Sequence, residues 1–169
     1  MGYSFYCKEG EICDGYGHRR LAEFPASGGS STYRTSYTDE RMVKAASTIV
    51  KELNYTGFAM FEFKLSSNNE LYLLEVNPRI WGSVNQGLSN GTNYFRKILG
   101  EAETQTKNSV KSINTYVGPL IYLSFLQYLM KMKWAPVGQF FNNITNSSPD
   151  VHLLKDPGAY LSTILRKLL

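Results

Sequence analysis

Apolar residues recur at helical spacing in one clear stretch of the first hundred residues and alternate with polar ones in several more. Met42, Val43, Ala46, Ile49, Val50 and Leu53 form one stripe, which predicts an amphipathic helix. Ser36 and Asp39 have capping-box spacing, and Thr38 is an equally good N-cap. Asn54 is a natural stop, because Asn tolerates the left-handed conformation that ends helices. Two strand-like runs follow, "GFAMFEFKL" and "ELYLLEVN", joined by the polar turn "SSNN", and together they predict an antiparallel hairpin. Ahead of the helix, "YSFYCKEGEIC" turns at Gly10 and continues through "GYGHRRLAEFP" as a second hairpin. The Gly/Ser/Thr-rich "ASGGSSTYRTS", Ala26 to Ser36, reads as a loop. A short helix is expected over Asn93–Leu99, ended by Gly100.

The rest of the chain has a different pattern. "EAETQTKNSVKS", residues 101–112, is polar and weakly periodic and reads as a linker or surface excursion. "GPLIYLSFLQYLM" falls short of the ~20 apolar residues of a membrane span and carries Ser124 and Gln127, so a buried helix and no membrane partner are expected, with contact at a membrane surface the lesser alternative. In "KDPGAYLSTILRKLL", Asp156 is placed as N-cap and Pro157 at the first helical position, with Leu161, Ile164, Leu165 and Leu168 on one face. The fold class is therefore α+β, an antiparallel sheet with flanking helices plus a helical tail. Its organisation is read as residues 1–100, the 101–112 linker, and a mostly helical extension over 113–169.

Composition narrows the partners. The 169 residues carry eighteen Lys and Arg against fourteen Asp and Glu, a net charge of +4. The basic residues are spread without a block, so no nucleic-acid footprint is indicated, and the excess fits an anionic small ligand. Cys7 and Cys13 flank the first turn; a disulfide across the hairpin is one reading, and two free thiols in a reducing cytosol is the favoured one. His18 and His152 are too far apart in sequence, and the cysteines too isolated, for a zinc pattern. Met1 leads directly into "GYSFYCKEGE" without an apolar signal region, which fits a cytoplasmic location.

The chemistry concentrates in "LYLLEVNPRIWGS". Strand alternation puts Leu71, Leu73, Glu75 and Asn77 on one side, and Phe58, Met60, Glu62 and Lys64 on one side of the preceding strand. With "SSNN" as the turn, Glu62 falls opposite the 73–75 region, give or take one or two residues. If the two faces coincide, Glu62, Glu75 and Asn77 converge. Two carboxylates ~4 Å apart repel by several kcal/mol at an effective dielectric near 20, so a cation is expected between them. Oxygen-only ligands favour a hard ion, Mg²⁺ or Mn²⁺, and magnesium's open coordination positions take phosphate oxygens. Arg79 then stands where it can bind a phosphate or a transferring phosphoryl group. The plain alternatives are a solvated acidic strand face for Glu62 and a simple Asn-Pro turn.

"TGFAMFEFK" followed by "LYLLEVNPRIWGS" resembles the carboxyl-terminal half of an ATP-grasp domain, in the branch of carboxylate–amine ligases related to carbamoyl-phosphate synthase. "HRRLAEFPASGGSS" and "DERMVKAASTIVKELN" fall in the expected order, and the resemblance covers about residues 3–99. It implies that Glu62 and Glu75 hold Mg²⁺, with Glu75 bridging two ions and Asn77 completing the second site. It implies that Arg79 steadies the γ-phosphate or an acyl phosphate. It implies that the basic trio "HRR", His18 included, lies along the same cleft; His18 and Arg20 share one strand face and Arg19 the other, so Arg20 is the favoured phosphate or carboxylate contact, with an exposed strand edge as the plain reading for Arg19 and Arg20. Ser30 is either a substrate contact or part of a surface turn. The implied reaction joins a small carboxylate to an amine at the expense of ATP. The resemblance also implies an amino-terminal nucleotide-binding part with lysines, a glycine-rich lid and the adenine pocket; the sequence holds no G-x-x-x-x-G-K-[ST] loop in their place. Alone, this polypeptide is expected to bind ATP poorly. The alternative is a non-catalytic interaction or homo-oligomerisation module of ATP-grasp origin.

Overall fold

The computed structural model describes residues 1–100, 113–151 and 155–168, so the 101–112 linker reading and His152 lie outside the described residues. The chain divides into two compact units. The first comprises Met1–Arg19 and Ser36–Ser112, the second Arg20–Thr35 and Ile113–Leu169.

In the first unit, β1 (Gly2–Lys8) and β2 (Glu11–Phe24, as far as Arg19) form the expected hairpin. The turn is at Glu9 and Gly10, both at positive φ. β1 also pairs antiparallel with β4 (Gly57–Leu65), and β4 with β5 (Leu71–Asn77), so the order is β5-β4-β1-β2. Helix α1 (Glu40–Glu52) lies on one face. Its Met42, Ala46 and Val50 pack against Tyr3, Phe5, Cys7, Ala59, Phe61 and Phe63. This odd-numbered set on β1 and β4 follows from the period of two along a strand.

Local details correct several expectations. Asp39 is the N-cap of α1, its carboxylate accepting from Arg41 N at 2.9 Å. Ser36 closes a strand instead and receives a hydrogen bond from the Tyr16 hydroxyl at 3.1 Å. Asn54 does end the helix at positive φ, but Leu53 is exposed beyond the apolar stripe because it is already the C-cap. Both thiols are free. A bulge after Tyr6 sets Cys7 opposite Ile12 rather than Cys13; Cys7 is buried and Cys13 exposed. Burial raises the Cys7 pKa.

The opposite face carries a second cluster of Tyr16, Met60, Trp81 and Tyr94, with Tyr6, Phe58 and Val84 beside it. Two short helices, α2 (Val84–Ser89) and α3 (Tyr94–Ile98), bring these aromatics down; α3 matches the expected short helix, and α2 has no signal beyond its length of six residues. The Asp14 carboxylate fixes the start of α3 by accepting from Asn93 N at 2.7 Å.

The second unit holds the end of β2, β3 (Ser30–Ser36), β6 (Asn114–Tyr116), β7 (Ser147–Pro149) and helices α4 (Gly118–Met130), α5 (Ala135–Asn142) and α6 (Pro157–Leu168). β3 pairs antiparallel with β6, and β6 pairs in parallel with β7. Thus only the front of "ASGGSSTYRTS" is a turn. Its "SSTYRTS" end becomes a strand of β-branched and aromatic residues between the end of β2 on one side and β6, more than 70 positions away, on the other. Ala22, Tyr33, Ile121, Phe125, Tyr128 and Phe140 form the core. The polar residues of α4 are satisfied: Ser124 Oγ lies 2.7 Å from Thr32 Oγ1, and Gln127 accepts from Ala26 N at 2.8 Å. Only one face of α4 is buried, since Tyr122, Leu126 and Met130 are exposed. Asp156 caps α6 as expected, accepting from Ala159 N at 2.9 Å. Two residues of the expected apolar face of α6, however, do not point inward: Leu161 and Leu165 are 56% and 59% exposed. Tyr160 of α6 packs onto α4, its ring covering Gly118. No described helix is long and apolar enough to cross a membrane.

Candidate functional site

The β4–β5 hairpin places Glu62 directly opposite Glu75, and Met60 directly opposite Asn77. Directly opposed residues in an antiparallel pair point to the same face with β-carbons about 4.5–5.5 Å apart. The two carboxylates and the amide therefore share one face, on the side of Tyr16, Trp81 and Tyr94. At ~4 Å two ionised carboxylates repel by about 4 kcal/mol at an effective dielectric of 20. A purely structural hairpin gains nothing from that juxtaposition.

A bulge decides which residues belong to this face. The register shifts between Glu62 and Phe63, so that Phe63 is opposite Leu73 and Leu74 is the extra residue. Leu73 and Leu71 consequently share the α1 face with Phe63 and Leu65. They do not share the Glu75 face, as simple alternation predicts. The strand is also not a buried one. β5 is the outermost strand of its unit, Leu74 is 61% exposed, and only Asn77 at its end is buried. Apolar composition mimics a buried strand here, and position in the sheet overrides it.

Beyond Asn77 the chain turns sharply. Arg79 N donates to Asn77 O at 2.9 Å, and Arg79 Nη2 to Asn77 Oδ1 at 3.4 Å. Arg79 Nη1 also donates to Ile80 O at 3.3 Å, which leaves the exposed guanidinium beside the Asn77 amide. Trp81 anchors the turn from below. It is buried and meets the Tyr94 ring edge-on at 5.5 Å, with Phe58 6.1 Å from both. Burial pushes the Tyr94 hydroxyl far above its ordinary pKa, so it stays protonated and neutral. On the α1 face, burial first and Asp14 second push Tyr3 up to about 12.

His18 joins the same unit and is buried in it. Arg19 lies on the other face, its guanidinium 4.1 Å above the Tyr37 ring. Arg20 and Ser30 belong to the second unit. Arg20 is half-buried and pairs with Glu23 at 3.7 Å, and Ser30 opens β3 exposed to solvent. Five of the seven expected residues, His18, Glu62, Glu75, Asn77 and Arg79, are thus in one unit, four of them on adjacent strands or the turn that follows. Among the described residues no three His, Cys, Asp or Glu side chains gather as a metal cluster. The donor set that the hairpin offers is two carboxylates and one amide oxygen, which suits a hard ion that completes its shell with water or phosphate.

Residues 20–117 match the family described as "ATP-grasp in the biosynthetic pathway with Ter operon". That match spans more than half of the chain. The chain belongs to this ATP-grasp family. A comparison with curated proteins finds no match. Among solved structures, the biotin carboxylase domain of thermophilic 2-oxoglutarate carboxylase bound to bicarbonate aligns at 17% identity and a TM-score of 0.44, over 66% of this chain and 27% of that one. N5-carboxyaminoimidazole synthetase from Staphylococcus aureus, complexed with ADP, aligns at 16% identity and a TM-score of 0.42, over 67% of this chain and 33% of that one. This ATP-grasp chain therefore spans a third or less of the length of those two.

Proposed function

We propose that this chain is the metal- and phosphate-binding half of an ATP-dependent carboxylate–amine ligase. The observation that carries the reading is the direct pairing of Glu62 with Glu75, with Asn77 closing the same strand and Arg79 tied to it. Family membership adds ATP as the nucleotide. Glu62 and Glu75 hold Mg²⁺ or Mn²⁺ and Asn77 contributes its amide oxygen; the ion, when bound, neutralises charge on the transferring phosphoryl group. Arg79 stabilises the same charge from the turn. His18 is read as part of the phosphate or carboxylate path; Arg20 is read as a phosphate or carboxylate contact and Ser30 as a substrate contact, each within the second unit.

In this reading a substrate carboxylate oxygen attacks the γ-phosphorus of ATP and ADP leaves, which gives an acyl phosphate. An amine then attacks the acyl carbon, phosphate leaves, the amine loses a proton, and an amide forms. Nucleotide-binding lysines and a lid come from an amino-terminal part in the same reading, with residues 1–100 as the carboxyl-terminal half of the domain and 113–169 as its extension. On its own the chain binds ATP weakly and does not turn over.

Titration of Mg²⁺ and Mn²⁺ with ATP, repeated on Glu75→Gln, tests the assignment. Loss of ion binding in the variant is the expected result, and an unchanged isotherm rejects the metal role. A second reading, a non-catalytic interaction module that binds a partner or another copy, is favoured by the exposed apolar side chains of Tyr72, Leu74 and Val76 on β5. A strictly monomeric species in analytical ultracentrifugation at high concentration rejects its self-associating form.

A further inference from the structure

Helix α4 carries apolar side chains on two sides. One side, with Ile121, Phe125 and Tyr128, fills the core of the second unit. On the other, Tyr122, Leu126, Leu129 and Met130 follow helical spacing and form one exposed stripe. The stripe runs about 12 Å along the axis, at 1.5 Å per residue. Ser124 and Gln127 are hydrogen-bonded within the unit, so the Tyr122 hydroxyl is the one polar group of the stripe. A helix that is apolar nearly all round calls for apolar surroundings on both sides. The chain that leaves α4 continues the pattern. In "MKMKW", Met130 to Trp134, all five residues are exposed, Met132 at 79% and Trp134 at 64%. Met132 stands at a φ of 55°, a conformation that Gly or Asn adopts at lower cost, so its thioether held outward gains nothing for the turn. Lys131 and Lys133 have no ion pair among the described residues, and residues 113–149 contain no Asp or Glu.

We propose that the exposed side of α4, together with Met130–Trp134, docks on the surface of a bilayer that contains anionic lipid. The apolar stripe enters the boundary between headgroups and acyl chains, and the Trp134 indole sits at headgroup level with its N–H toward water. Lys131 and Lys133 lay their stems along the apolar surface and carry their ammonium groups to the lipid phosphates. The helix lies on the membrane and does not cross it, because its other side stays in the core of the unit. Charge favours this occupant over a second copy of the chain. In a two-fold contact the face meets itself, which brings four lysines together with no carboxylate from residues 113–149 among them. An anionic surface meets the same lysines with the opposite sign. The inference is independent of the cation reading of the β4–β5 hairpin, which belongs to the other unit.

The full chain is mixed with vesicles of phosphatidylcholine, alone or with about one-third phosphatidylglycerol, and read by co-sedimentation and tryptophan emission. Binding to the anionic vesicles with a blue shift of the emission is expected, with much less on the neutral ones and a decline as salt is added. Trp81 is buried already, so the shift reports Trp134 and should vanish in Trp134→Phe. Lys131→Gln combined with Lys133→Gln should weaken binding about 30-fold, about 5-fold for each charge. Leu126→Asn combined with Met130→Gln should weaken it at least about 10-fold. These four positions are exposed, and circular dichroism verifies that both variants stay folded. Should one of them unfold, the other and Trp134→Phe decide. Failure to sediment with the anionic vesicles overturns the proposal, and self-association that Leu126→Asn with Met130→Gln abolishes assigns the face to a second copy instead. Equal binding to both kinds of vesicle, binding retained by the folded double variants, or a shift that persists in Trp134→Phe also overturns it.

Discussion

Two pairs of charged residues, one in each unit, stand in opposite physical situations. In the second unit Arg34 and Asp150 form a salt bridge between a strand and the segment after β7, both side chains almost fully buried. In the first unit Glu62 and Glu75 are like charges set face to face, one half-buried and one exposed. The buried pair is matched, and removal of one partner would leave the other uncompensated in the core. The glutamate pair is of like charge and nearer the solvent. In the proposed reading, charge placement that stabilises the fold is thus separable from charge placement that serves a ligand.

Breaking the matched pair should have the largest effect. Arg34→Met strands Asp150 in the core and is expected to cost about 3–5 kcal/mol, measured by urea denaturation. Glu75→Gln should do the reverse for the fold. Without metal it leaves stability equal or higher by about 1 kcal/mol, because a repulsion is removed, while Mn²⁺ affinity falls at least about 10-fold. Those two outcomes together would sharpen the contrast, with one charge needed for folding and the other only for binding.

Asp39 offers a smaller test of a charge that is structural but solvated. Hydrogen bonds from the Arg41 side chain and backbone lower its carboxyl from 3.8 to about 2. A depressed folded pKa means that the ionised form stabilises the native state. That contribution is fully present above pH 3.8 and is lost as the pH falls through about 2. Asn caps helices as well as Asp, so Asp39→Asn removes the charge and keeps the cap. The melting-temperature gap between parent and variant at neutral pH should close on acidification to about pH 2. Leu161→Gln marks the lower end. Leu161 is largely exposed on α6, and its replacement should change stability by less than about 0.5 kcal/mol in the same denaturation assay.

The hairpins, α1, the stop at Asn54, the cap of α6 by Asp156 and the facing of Glu62 toward the 73–75 region were all legible from spacing and turn residues. Each rests on interactions within a few positions or across a tight turn, where local geometry leaves little choice. The "SSTYRTS" strand was not, because its Gly/Ser/Thr composition reads as a loop until it is held between β2 and residues 114–116. Leu161 and Leu165 looked like a buried face, yet burial depends on what lies opposite a helix. Leu73 looked like a neighbour of Glu75, until one extra residue at Leu74 turned it to the other side. His18 carried no signal that its ring lies across Gly2, since the two are brought together only by the register of β1 on β2.

The sequence by itself determined the local conformations and the chemical kinds present: two glutamates, an amide and a guanidinium at the end of a hairpin. Tertiary structure alone decided which of them share a face, that their strand is outermost, and that a histidine ring lies across Gly2. Conformational preference acts over a few residues, whereas register and burial are set by partners far along the chain.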